Sequence, residues 1–165
     1  MATQVQVSLE EYLATAYDDV DREYVDGAVL DRPLPNYPHG RAQVRLAALL
    51  DRPGRRRPLF VCSETRMRLR PDRVRIPDLA AFAAEPVEDV PSSPPLLTLE
   101  ILSPDDLWSR VLEKCAEYAA WGVRHVWIVD PGSRELRVYE SGDVRLVEKL
   151  EIPDYDVRIT ASDLW

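Results

Sequence analysis

An α/β fold, with strands and helices interleaved along the chain, is predicted by three observations. The run Leu96 to Leu102 is apolar and of strand length, and it leads into a stretch with helical periodicity that ends at Gly122. A second apolar run, Val123 to Val129, follows at once. Earlier in the chain, Asp26-Gly27 lies between two short runs that read as strands, which is the commonest signal of a two-residue β-hairpin.

The first apolar run carries a single charge. Side chains alternate across a strand, so Leu97, Leu99 and Ile101 share one face while Leu96, Thr98, Glu100 and Leu102 share the other. Glu100 therefore stands among apolar neighbours. Taking a lone carboxylate out of water costs several kcal/mol or forces its protonation, so a cation, a metal ion or a hydrogen-bond donor is expected beside it.

The helix that follows offers such a partner. Ser103 is expected to cap it, Pro104 to take the first helical position, and Asp105 and Asp106 to favour the positive end of its dipole. On a helical wheel Leu107, Trp108, Val111, Cys115, Tyr118 and Gly122 gather on one side, and Gly122 can close the helix in a left-handed conformation. Lys114 falls about 60° from the middle of that stripe, at the margin of the face that packs. A lysine in such a place can simply snorkel, with its stem packed and its head in water. Yet the chain has 19 arginines and only two lysines, Lys114 and Lys149, so an ammonium here is not ordinary surface charge.

The 165 residues are read as one domain, 1–165, large enough to bury a core without disulfides or structural metals. No run approaches the roughly 18 apolar residues of a membrane span. The N-terminus lacks the basic-then-apolar plan of a signal peptide, so a cytoplasmic location and no membrane partner are expected. Cys62 and Cys115 lack metal-binding spacing and read as reduced thiols. The net charge of −8 argues against a nucleic-acid partner until its distribution is considered. Between Arg32 and Arg75 stand 12 arginines against three acids, Asp51, Glu64 and Asp72, and the loop Arg52 to Pro58 is the most basic of all.

Taken in order, Ser8-Leu9-Glu10-Glu11 opens a short helix through Tyr12, Leu13 and Ala16. The hairpin at Asp26-Gly27 comes next, then a proline-rich loop, Pro33 to Pro38. Arg41 to Leu50 reads as an amphipathic helix with Val44, Ala47, Ala48 and Leu50 inward and Arg41 and Arg45 outward. Leu59 to Leu69 and Val74 to Phe82 read as paired strands turned by Pro71-Asp72. Pro77 requires a bulge or an edge in the second strand, and either re-aims Asp78. Glu85 to Pro95 is a proline-rich surface loop. Beyond Val129, strands are expected at Leu136 to Glu140 and Val144 to Leu150, with Leu164-Trp165 packing on the body.

Asp78 on the kinked strand, Glu100 on the apolar strand and Lys114 on the next helix form a candidate site. Two converging carboxylates raise each other's pKa unless a divalent cation lies between them. Magnesium suits such oxygen ligands, with manganese as an alternative, and a nearby lysine could orient or deprotonate an attacking water.

At these residues the chain resembles a known family. Ile76-Pro77-Asp78-Leu79, Leu99-Glu100-Ile101-Leu102-Ser103-Pro104 and the run Lys114 to Pro131 are similar to the Uma-type restriction endonuclease-like proteins, a branch of the PD-(D/E)XK nuclease superfamily. Leu9 to Leu13, Glu23 to Gly27, His39 and the terminal Asp163-Leu164-Trp165 extend the likeness over nearly the whole chain.

The resemblance implies a restriction-endonuclease-like mixed β-sheet core flanked by helices, with an N-terminal helix and hairpin. It further implies magnesium-dependent hydrolysis of phosphodiester bonds, with DNA as substrate, and often a homodimer. By motif position Asp78 is the metal-binding aspartate and Glu100 the second carboxylate. The superfamily's lysine usually lies two residues after that glutamate, where this chain has Leu102, and in the Uma branch the role passes to Lys114. Glu23 matches a third acid, and His39 matches a histidine that could contact phosphate or assist proton transfer; an exposed strand glutamate and a loop-packing histidine are the plainer readings of those two.

Arg55, Arg56 and Arg57, with Arg41, are the candidate phosphate-gripping residues. His125 reads as structural, and Asp26, Asp130 and Asp154 as turn residues. The departure at Leu102 and the acidic balance outside the arginine-rich region leave room for a catalytically silent module that binds nucleic acid or a protein partner.

Overall fold

A computed structural model describes residues 6–17 and 21–165. Its elements are helices α1 (Leu9–Ala14), α2 (Tyr37–Leu50), α3 (Trp108–Trp121) and α4 (Ala161–Leu164), and strands β1 (Arg22–Val25), β2 (Ala28–Asp31), β3 (Phe60–Ser63), β4 (Met67–Arg70), β5 (Arg73–Arg75), β6 (Leu79–Phe82), β7 (Leu97–Ile101), β8 (His125–Asp130), β9 (Glu135–Glu140), β10 (Asp143–Val147), β11 (Lys149–Ile152) and β12 (Val157–Thr160). The strands form a six-stranded sheet ordered β10-β9-β8-β7-β6-β3, a four-stranded sheet ordered β2-β1-β5-β4, and the ribbon β11-β12. In the large sheet β7 and β8 are parallel and joined through α3, and the other neighbours are antiparallel. The architecture is the mixed α/β core with an N-terminal helix and hairpin that the sequence predicts.

The large sheet is packed on both faces, as its burial pattern requires. Leu97, Leu99, Ile101, Trp127 and Val129 join α2, α4 and the β11-β12 ribbon on one side. Val126 and Ile128 meet Val111, Cys115 and Tyr118 of α3 on the other, together with Met67 and Leu69 of β4. Glu100 points toward that second side, from the middle of a fully buried strand. Helix α1, capped by the Ser8 side chain on the Glu11 amide, stacks Tyr12 on Tyr24 of the small sheet.

The hairpin turn is as expected, with Asp26 and Gly27 both at positive φ, as a type I′ turn demands. Gly122 ends α3 in the left-handed region at φ 111°. Leu164 is buried and Trp165 packs beside it. Both cysteines are unbridged. Among the described residues no helix is long and apolar enough to cross a membrane.

Several local expectations need correction. Helix α3 starts at Trp108, with Leu107 rather than Ser103 at its N-cap. Ser103 to Asp106 form a separate turn, in which Asp106 Oδ2 accepts the Ser103 amide at 2.7 Å and so consumes the capping chemistry. Leu107 and Trp108 remain exposed, because they enter the helix at its open end.

Helix α2 buries His39, Ala42, Leu46 and Leu50, whereas Val44 is 70% exposed and Ala48 also faces out. The spacing of those four residues follows one helical stripe, and Val44 lies across the axis from it.

Each of the two long strands predicted from Leu59 to Phe82 is divided between sheets. The first breaks at Glu64, which has φ 51°, and the second breaks around Pro77. Pairing of β4 with β5 and of β3 with β6 makes a hairpin whose tip belongs to the small sheet and whose base belongs to the large one. Val144 to Leu150 likewise divides at Glu148 into β10 and β11.

Candidate active site

The junction between the two sheets is where the chemistry collects. A cleft of about 290 Å³ is lined by Glu23, Arg32, His39, Glu64, Asp78, Glu100 and Lys114 among others. Asp78 sits between the break at Pro77 and the start of β6. Its Oδ2 accepts the amide of Ile101 at 2.6 Å, so the carboxylate is fastened to the β7 backbone one residue past Glu100. Its Oδ1 accepts from Arg32 Nη2 at 2.7 Å.

Glu100 has a partner on each oxygen, Lys114 Nζ at 2.6 Å and the Tyr118 hydroxyl at 2.8 Å. The two partners lie four residues apart on α3 and so share the face presented to β7. Glu23 reaches in from β1 with Lys114 Nζ 3.2 Å away, and also accepts the Ile76 amide at 3.1 Å and Arg75 at 2.8 Å. Arg75 in turn donates to Glu117 of α3 at 2.6 Å, and Arg73 joins Glu117 to Asp26. This buried ionic lattice ties the small sheet to the helix.

Burial and neighbouring charges act against each other at every one of these groups. Burial raises the Glu100 carboxyl to about 7, with Asp78 and Glu23 adding to the effect and Lys114 opposing it. Burial also works against charge on Lys114, but Glu100, Glu23 and Asp78 outweigh it and hold the ammonium above its ordinary value. For Asp78, desolvation is overcome by His39, Lys114 and Arg32, which keep the carboxyl below the usual carboxylate range. Glu23 is likewise held low, because Lys114 and Arg75 offset its burial.

All five residues expected at the catalytic centre, Asp78, Glu100, Lys114, Glu23 and His39, line this one cleft. The four expected phosphate-gripping arginines lie elsewhere. Arg55 donates to the Leu49 and Leu50 carbonyls at the end of α2, Arg57 covers the ring of Tyr155 at 4.8 Å, and Arg56 and Arg41 are exposed.

Four contributors were not anticipated, Arg32, Glu64, Gln43 and Tyr118. Arg32 bridges Asp78 and Glu64, with 2.8 Å to the latter. Gln43 donates to Glu64 at 2.9 Å and to the Asp78 carbonyl at 2.9 Å. Tyr118 completes the partners of Glu100. Tyr118 could have been found as the residue one turn past Lys114 on the same stripe. Glu64 and Arg32 gave no local signal, since their meeting depends on the strand break.

A mixed sheet packed on both faces, with Asp78 at the start of the internal strand β6 and Glu100 on its neighbour β7, places the protein in the restriction-endonuclease-like class of α/β folds. Residues 9–164 match the Uma2 family, described as putative restriction endonuclease, and the chain belongs to that family. Among solved structures it is similar to a putative nuclease belonging to DUF820 from Anabaena variabilis ATCC 29413, with a TM-score of 0.81 and 21% identity over 96% of this chain and 97% of that one. At that identity the likeness is one of fold. No match is found among curated proteins.

Proposed function

We propose that the protein is a metal-dependent endonuclease that hydrolyses DNA phosphodiester bonds, with Asp78 and Glu100 as metal ligands and Lys114 as the group that orients the attacking water. The observation that carries this reading is the meeting of Asp78 with the Ile101 amide at 2.6 Å while Glu100, the adjoining residue, meets Lys114 at 2.6 Å. Residues far apart in the chain thus deliver two acids and an ammonium to one cleft.

The donor set fits a hard divalent cation. Each carboxylate oxygen accepts a hydrogen bond from the protein and retains lone-pair capacity for an ion. Magnesium, or manganese in its place, would supply Lewis-acid stabilisation of charge developing on a phosphoryl oxygen.

The chain's own groups do the remaining work. Lys114, between two carboxylates at 2.6 and 3.2 Å, is a donor rather than a proton acceptor, so it positions water or a phosphate oxygen. Tyr118 keeps the Glu100 carboxylate from turning, and Glu23 steadies Lys114 from the opposite sheet. His39 stands beside Asp78, where it can assist proton transfer to the leaving group. Arg41 and Arg56, which are exposed, hold backbone phosphates at a distance from the cleft, each contact steepening the salt dependence of binding by about 0.9 in the log–log slope, whereas Arg55 and Arg57 are engaged within the chain. A homodimer acting in the cytoplasm completes the proposal.

Purified protein incubated with plasmid and magnesium should nick or linearise it, and Asp78→Ala, Glu100→Ala and Lys114→Ala should each abolish this. Cleavage that survives all three substitutions would remove the mechanism. One observation favours a second reading, a DNA-binding module without catalysis: Arg32 already supplies positive charge to Asp78 and Glu64. Salt-sensitive DNA binding with no magnesium-dependent cleavage would select that reading.

A further inference from the structure

The rim of the cleft differs in kind from its floor. On the floor, Asp78 and Glu100 are only 3% and 6% exposed. At the rim, Leu34 stands on the loop between β2 and α2 and Leu107 at the residue that opens α3, and both line the cleft while 74% and 58% exposed. A single exposed leucine needs no explanation, but two from separate elements at one opening mark a surface that something covers. Each is followed in the chain by an exposed aromatic side chain, Tyr37 and Trp108.

Arg110 adds a charge to this rim. Of the arginines and the lysine that line the cleft, Arg32, Arg75 and Lys114 are ion-paired with its acids, whereas among the described residues Arg110 has no ion-pair partner. It is exposed and lies four residues before Lys114 on α3, so the two share a helix face, about 6 Å apart along the axis. An unneutralised guanidinium one turn from the ammonium of the site is placed for a phosphate next to the one that reacts.

The other charges at the rim discriminate between forms of DNA. Asp31, Asp105 and Glu113 also line the cleft and are exposed. A duplex carries one phosphate charge per about 1.7 Å of its axis and a single strand about half that density, so these acids repel the duplex more. A single strand can also bend to lower one phosphate to the buried acids, and its unstacked bases find apolar cover on the two leucines.

We infer that the cleft accepts single-stranded or locally unpaired DNA, with Arg110 holding a phosphate beside the scissile one and Leu34 and Leu107 covering the neighbouring bases. This rests on the nuclease reading for what becomes of the strand, and it names the form of DNA that the same cleft takes.

The test is fluorescence anisotropy of labelled oligonucleotides with the full chain in EDTA, using a single strand, its fully paired duplex and that duplex with a central unpaired bulge. Wild type should bind the single strand and the bulged duplex at least tenfold more tightly than the paired one. Leu34→Ser combined with Leu107→Ser, shown to be folded by circular dichroism, should remove most of that preference. Arg110→Gln should weaken binding of all three probes and lower the log–log salt slope for the single strand by about 0.7. The proposal is overturned if wild type fails to bind the single strand, if it binds single strand and duplex equally, if the folded double variant keeps the preference, or if Arg110→Gln leaves the salt slope unchanged. Cleavage separates its failure from that of the nuclease reading. Cutting that depends on Asp78, Glu100 and Lys114 but runs as fast on relaxed plasmid as on supercoiled plasmid, which opens locally, counts against the strand preference alone. Preferential single-strand binding without any cleavage counts against the nuclease reading alone.

Discussion

The two walls of the cleft hold their carboxylates by different means. On the six-stranded sheet, Asp78 is fastened to a backbone amide of β7, and Glu100 lies in a strand hydrogen-bonded on both sides, with Leu99 and Ile101 locked in the core beneath it. On the four-stranded sheet, Glu23 is placed largely by charge, through Arg75 and Lys114, with the single amide of Ile76 in support. Backbone and apolar packing are insensitive to pH and salt, whereas an ionic lattice is not. The large-sheet wall should therefore stay in register under conditions that loosen the other.

The largest expected effect is on activity with little effect on folding. Asp78→Asn and Glu100→Gln keep the shape of the site, and each should slow plasmid cleavage about a thousandfold, roughly 4 kcal/mol of transition-state stabilisation. Their urea midpoints should move far less than that of Arg75→Ala. An equal loss of stability in all three would break the contrast between the walls.

Arg75→Ala should cost about 3 kcal/mol in urea unfolding, the low end for breaking a buried pair, because Glu23 keeps Lys114 and Glu117 keeps Arg73. A shift below about 1 kcal/mol would mean that the small sheet is held by something other than this lattice.

Acid sharpens the same point. Glu23 titrates lower in the folded protein than its ordinary value of 4.5, so its contribution to stability is fully present above that pH and is lost as pH falls through the depressed folded value. Glu23→Gln should accordingly flatten the acid limb of the stability profile, and an unchanged limb would count against charge as the means of placement.

The smallest effects belong to the helix ends and faces. Ser8→Ala should remove about 1 kcal/mol by uncapping α1 behind the small sheet. Val44→Glu, on the outward face of α2, should change stability by less than about 0.5 kcal/mol.

Much of the site was legible because its signals are local. Strand alternation placed Glu100 away from Leu99 and Ile101, a helical wheel set Lys114 beside the packed stripe, and Pro77 marked the kink before Asp78. The structure brings those three to one cleft. Other features resisted because local chemistry can be spent in more than one way. Ser103 and Asp106 carry capping chemistry and spend it elsewhere, Asp106 on the Ser103 amide and the Ser103 hydroxyl on His39 Nδ1. The run from Leu59 to Leu69 alternates well enough for one strand, and nothing in it says that the two halves will serve different sheets.

The arginines teach the same lesson most sharply. A stretch dense in positive charge reads as a patch for phosphate, yet Arg32, Arg73 and Arg75 are turned inward onto Asp78, Glu64, Glu117 and Glu23. Only the tertiary fold separates internal counter-ions from the exposed Arg41 and Arg56.

A crystal structure of the protein grown with Mn²⁺ tests the central claim most directly, since anomalous scattering locates the ion without ambiguity. The account predicts an ion about 2.0–2.3 Å from carboxylate oxygens of both Asp78 and Glu100, with Lys114 within hydrogen-bond reach of its water. An ion bound only at surface acids, with Asp78 and Glu100 still engaged solely by Arg32, Lys114 and Tyr118, would contradict it.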